Sequence, residues 1–161
     1  MERFVRISAG LDVAPALAEL ALLQPEYWME RNHDDHGFIQ LIGCDDARLL
    51  EAELPAVWRL IDVAYEAAKA RHGDRGRLTY GRVGRIPPGG GLAPHVDGMD
   101  GVRDRRYQLA LQSAPGAEIT VDGEAKCLRP GEAWQIDVSR KHFASPSTVI
   151  SAPGADCSAS W

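Results

Sequence analysis

The sequence predicts a mainly β (α+β) domain, with a helical first half flanking a second half of short strands folded as a sandwich or small barrel. Three observations carry this expectation. Twelve of the sixteen glycines fall between Gly73 and Gly131, so turns crowd the second half. Short alternating runs in that half are separated by turn signals every ten or so residues. The stretch from Pro55 to His72 instead repeats its apolar residues at helical spacing. With 161 residues, the chain suits one domain, since single domains typically run to roughly 100–200 residues.

In chain order, Asp12 can cap a helix over Ala14–Leu23, with Pro15 tolerated in its first turn and Gln24-Pro25 ending it. Phe38–Ile42 is short, apolar and bounded by Gly37 and Gly43, which predicts a strand. The helix Pro55–His72 places Pro55 at its first position and Gly73 just past its last. Its face is Val57, Leu60, Ile61, Ala64, Tyr65 and Ala68, which reads as packing support. Leu78–Ile86 predicts a strand, and Pro87–Gly91 a turn, because prolines cannot donate to a ladder. Arg106–Gln112, Ala117–Val121, Ala125–Leu128 and Ala133–Val138 complete a meander. Asp122-Gly123 and Pro130-Gly131 turn it.

Composition excludes several classes. Hydrophobic residues at 45% and charged residues at 25% are those of a globular chain rather than a disordered one. A net charge of −5 lacks the basic footprint of nucleic-acid or anionic-membrane binding. No apolar run follows Met1-Glu2-Arg3-Phe4, so neither a signal peptide nor a membrane span is expected. Cys44, Cys127 and Cys157 form no CxxC pair and read as reduced thiols of a cytoplasmic protein.

The chemistry concentrates around His95-Val96-Asp97. On a strand, residues two apart point to one face. Alone, the pair reads as well as a histidine and an aspartate in a surface loop. His142 follows at the end of the strand Ala133–Val138, and a strand pair can return it to His95. Two imidazoles and a carboxylate on one face of a metal suit non-haem Fe(II) and leave positions open for a chelating co-substrate and O₂. The ligand-rich run His33-Asp34-Asp35-His36 reads as a solvated loop. His72 reads as a cation suited to its helix C-terminus.

Arg85-Ile86-Pro87-Pro88-Gly89 through His95-Val96-Asp97 resembles the R-x-x-P-G…H-x-D segment of the aspartyl/asparaginyl β-hydroxylase-like branch of the Fe(II)/2-oxoglutarate dioxygenases. Arg106-Tyr107-Gln108-Leu109-Ala110-Leu111 is similar to its R-x-H-L-x-L strand. Gly131-Glu132-Ala133-Trp134 through Asp137 to His142 is similar to its G-E-x-W-x-x-D-x-x-x-x-H segment. The resemblance implies a double-stranded β-helix (jelly roll, cupin-like) within one domain over 1–161. Residues 1–76 form the mostly helical flank with a strand, 77–150 the β-helix core and 149–161 an atypical tail. It implies His95, Asp97 and His142 on Fe(II), and 2-oxoglutarate held by Arg106, with Gln108 in place of the family's usual histidine. The family's later arginine has no counterpart, since no Lys or Arg follows Lys141. Arg82, Arg85 and Arg106 are candidates to replace it. Trp134 reads as packing.

The implied activity is hydroxylation of an amino-acid residue or free amino acid, with 2-oxoglutarate decarboxylated to succinate. The alternatives are a catalytically degenerate jelly-roll binding module, or a cupin-type metal enzyme that does not use 2-oxoglutarate. The expected partner is a small molecule or protein side chain, with no nucleic acid and no membrane.

Overall fold

A computed structural model describes residues 2–31, 34–43, 47–73, 77–87, 89–97 and 105–145. The chain opens with β1 (Phe4–Ser8), α1 (Ala14–Leu22), a 3-10 turn over Pro25–Tyr27, β2 (Met29–Arg31), β3 (Asp34–Gln40) and α2 (Pro55–His72). Then come β4 (Arg82–Arg85), β5 (Leu92–His95), β6 (Arg106–Leu109), β7 (Glu118–Val121), β8 (Glu124–Lys126), β9 (Ala133–Ile136) and β10 (His142–Ser145). The strands form three antiparallel sheets in the orders β1-β9-β6, β5-β10-β7-β8 and β2-β3-β4.

Two apolar cores hold these layers. The larger joins the helices to the β2-β3-β4 sheet through Ala16, Ile39, Leu41, Leu54, Val57, Trp58 and Val83. The smaller lies between the other two sheets. Phe4 and Ile136 of one meet Val121 of the other, with Leu128 and Val138 beside them. Apolar surface removed from water on both faces is what keeps these short strands together.

Helix α2 has the bounds its end signals predict. Pro55 lies in its first turn, and Gly73 ends it at φ 81. Trp58 belongs to its buried face although the helical pattern omitted it. The helix start is completed from elsewhere. Both Glu19 carboxylate oxygens of α1 accept hydrogen bonds from Ala56 N (2.8 and 2.9 Å), and one also accepts from Val57 N (3.1 Å). These are orphan donors of the first turn, at the positive end of the helix dipole. Glu19→Ala is therefore expected to cost about 1–2 kcal/mol, on the scale of a lost N-cap. Urea denaturation checks it, and an unchanged midpoint would dismiss the cap.

At α1, Asp12 Oδ1 accepts from Ala14 N at 3.1 Å, but Val13 occupies the cap position. The Asp122-Gly123 turn takes φ 49 and 81, the left-handed pair that a two-residue hairpin requires, and it joins β7 to β8. Gly131, at φ 80, lies so close to the Leu11 carbonyl that no Cβ fits, and its own carbonyl accepts from Leu11 N at 3.1 Å.

Several expectations change. The N-terminal segment contributes β1, which pairs with β9 and enters the smaller core, so part of the flank builds the β layer. Asp34–His36 lie in β3 rather than in a loop, while His33 falls outside the described residues. The predicted strands 78–86, 106–112 and 133–138 shorten to β4, β6 and β9. The stretch 146–161, with the atypical tail, lies outside the described residues. Among the described residues, no helix is long and apolar enough to cross a membrane.

Candidate metal centre

His95 is the last residue of β5, and His142 is the first of β10. The two are direct antiparallel partners, so their side chains emerge together. Their ring centroids lie 4.2 Å apart, with planes at 54°. His142 thus opens its own strand instead of closing the preceding one. Asp97 follows β5 and is pinned by a hydrogen bond from its own N to Val138 O (3.1 Å), just past β9. One ligand atom from each of His95, Asp97 and His142 lies within 4.8 Å of the others.

Both imidazoles are oriented by the backbone. His95 Nδ1 lies 2.7 Å from Ala93 O, and His142 Nδ1 lies 3.0 Å from Arg140 O. A carbonyl only accepts, so each Nδ1 is the donor, and in the neutral ring Nε2 keeps its lone pair. This arrangement fixes the tautomer of a metal-binding histidine. Asp97 divides its oxygens. Oδ1 faces His95 Nε2 at 3.5 Å, and Oδ2 pairs with an Arg106 terminal nitrogen at 3.2 Å. Two neutral imidazoles and one carboxylate fit a divalent first-row metal and leave one side open.

Arg106 therefore stands beside the triad, with its guanidinium carbon 4.8 Å from the Tyr80 ring centre. Arg82 is 5.7 Å from the same ring, so Tyr80 gathers two of the candidate arginines. Arg85 stacks on Trp28 at 4.1 Å instead. Gln108 is exposed on β6, opposite Trp134 of β9. Trp134 does pack against the smaller core, and its indole N–H donates to Glu132 at 3.0 Å.

Sequence reasoning missed the brace of the turn that delivers His142. Asp137, only 4% exposed, accepts from Ser139 Oγ (2.5 Å) and Arg140 Nε (3.0 Å). Arg140 also reaches Asp122 at 2.7 Å, while its carbonyl holds His142. Burial alone would raise the Asp137 pKa, but the Ser139 and Arg140 hydrogen bonds leave it below the ordinary value. The spacing from Asp137 to His142 was the available signal.

His72 corrects another expectation. It does occupy the last turn of α2, but its ring lies 6.4 Å from Tyr107, and its Nε2 is buried without a hydrogen-bond partner. Burial first, then the Arg105 and Arg71 charges, hold its pKa below the ordinary histidine value. The neighbouring Gln135 side chain opposes them. The unfolded chain takes up this proton at higher pH than the folded one, so protonation favours unfolding. The His72 contribution is intact above about pH 6.5 and is lost as pH falls through that value toward the lower folded one. His72→Gln is expected to flatten the fall of apoprotein melting temperature between pH 7 and 5. Parallel profiles for variant and parent would refute this.

A β-rich domain that gathers two imidazoles and a carboxylate at the ends of paired strands falls in the class of proteins equipped to hold a metal ion with an open face. The family model for aspartyl/asparaginyl beta-hydroxylase matches residues 45–149, and the chain belongs to this family. No curated protein matches the sequence.

Proposed function

We propose that the protein is an Fe(II)- and 2-oxoglutarate-dependent dioxygenase that hydroxylates an amino-acid residue of a protein or a free amino acid. The reading takes the two sheets around the smaller core as a double-stranded β-helix within a single domain. One observation carries it. Both His95 and His142 spend Nδ1 on a backbone carbonyl, which leaves Nε2 of each ring for a ligand, and His95, His142 and Asp97 each bring a ligand atom within 4.8 Å of the others.

His95, Asp97 and His142 would hold Fe(II). The bound ion would supply O₂ chemistry that couples decarboxylation of 2-oxoglutarate to succinate and CO₂ with hydroxylation of the substrate. The remaining tasks belong to the chain. The Ala93 and Arg140 carbonyls hold the imidazoles in register. Arg106 orients Asp97 through one oxygen and leaves the other toward His95. Its other guanidinium N–H groups suit a co-substrate carboxylate. Gln108, on the same strand two residues on, can donate from its amide. The acidic balance favours a small molecule or protein side chain as partner, in the cytoplasm, over nucleic acid or membrane.

The test is aerobic incubation with Fe(II) and 2-oxoglutarate, with succinate measured. Formation that needs both additions supports the proposal. No succinate with metal still bound overturns it in favour of a binding module, the reading that the lack of Lys or Arg after Lys141 favours. Iron-dependent O₂ consumption indifferent to 2-oxoglutarate would indicate a cupin-type enzyme.

A further inference from the structure

Strand register defines which side chains face the space between the two sheets. In β5-β10-β7-β8, His142 pairs with Val121, Ala144 with Ile119, and Ile119 with Lys126. Directly paired residues share a face, as do residues two apart. Lys126 therefore faces the same side as His142, one pleat along and two strands across. In β1-β9-β6, the rows Phe4–Ile136–Arg106 and Arg6–Trp134–Gln108 share one face by the same rule. The two faces meet, because Val121 of the first packs with Phe4 and Ile136 of the second. The Lys126 ammonium spans the gap, 4.5 Å from the Trp134 ring centre and 5.5 Å from that of Phe4.

Three cations thus lie on these two faces, and two have carboxylates. Arg106 pairs with Asp97 at 3.2 Å, and Arg6 with Glu132 at 3.5 Å. Lys126 is half-buried against two aromatic faces, and no carboxylate among the described residues pairs with it. Ring faces attract a cation but do not neutralise it, so this ammonium is a ready partner for an anion entering between the sheets. A dicarboxylate that chelated a metal at His95, Asp97 and His142 by its 2-oxo-acid end would extend its second carboxylate away from the metal, on the face that His142 shares with Lys126.

We infer that Lys126 binds the distal carboxylate of 2-oxoglutarate, serving as a cationic anchor where residues 142–161 supply no Lys or Arg. The inference rests on the co-substrate reading proposed above. Gln108 lies beside Trp134 on the facing sheet and can add a neutral donor to the same carboxylate.

The experiment is calorimetric titration of the Mn(II)-loaded protein with 2-oxoglutarate and, separately, with 2-oxobutanoate. The second has the same chelating head but no distal carboxylate. Lys126→Met, which keeps an apolar stem over the rings, is expected to weaken 2-oxoglutarate binding by about 10- to 100-fold, the scale of a lost charged hydrogen bond. Binding of 2-oxobutanoate should be unchanged, and Lys126→Arg should recover most of the loss. Equal 2-oxoglutarate affinity in Lys126→Met and parent overturns the inference and leaves the proposed function standing. Parallel weakening of both ligands also overturns it, because a packing role would act on both. A parent protein that binds Mn(II) but neither 2-oxo acid overturns the inference together with the co-substrate reading beneath it.

Discussion

His142→Ala is expected to abolish specific metal binding and any Fe(II)-dependent succinate formation. The imidazole is one of three donors in the cluster among the described residues and is 7% exposed, so neither water nor a described neighbouring side chain readily takes its place. Its loss should exceed the about 10- to 100-fold that removing an outer hydrogen bond costs a metal site. Anaerobic titration with Fe(II) measures this. Circular dichroism of the apoprotein provides the control for folding, since His142 is a member of neither apolar core. Retained affinity in a folded His142→Ala protein would remove this residue from the site and with it the triad.

Trp58→Ala should have the largest effect on stability. Trp58 is 2% exposed at the centre of the larger core. Its indole N–H donates to Leu49 O at 2.9 Å, and Arg48 lies over its ring at 4.0 Å. Truncation leaves a cavity, an unpaired carbonyl and an unstacked guanidinium. The expected loss is about 3–5 kcal/mol. Trp58→Phe keeps most of the packing and forfeits the hydrogen bond, for about 1–2 kcal/mol. Equilibrium unfolding of the two variants separates the terms, and equal losses would show that the hydrogen bond, rather than the ring volume, dominates.

What could be read from the sequence was whatever a short stretch of chain decides by itself. Pro55 and Gly73 bound α2 because each acts through its own backbone angle. Asp122-Gly123 makes its hairpin turn for the same reason. The clustering of His95, Asp97 and His142 was legible because two short motifs carry them, His95 and Asp97 in one and His142 in the other. What escaped depends on partners far along the chain. Glu19 completes α2 across 37 residues, and β1 joins β9 across most of the molecule. Nothing local in Phe4–Ser8 declares its partner, although the segment alternates. Arg106 was expected near a co-substrate, and its pairing with Asp97 emerges only once β6 and the end of β5 are placed together. Lys126 escaped for a related reason, since an inward-facing lysine on a three-residue strand looks like a surface charge until its register is known.

The pairing of His95 with His142 has a consequence for how the protein matures. Successive side chains on a strand point to opposite sides, so sliding β10 by one residue against β5 would turn one imidazole away from the other. Metal affinity at this triad would then exist only in the correctly paired chain. A ferrous ion would act as a selector among near-native folds, stabilising the one alignment that offers both rings and drawing slipped forms back toward it by mass action. On the proposed reading, chelating capacity would be a proofreading signal for the sheet as well as a catalytic asset.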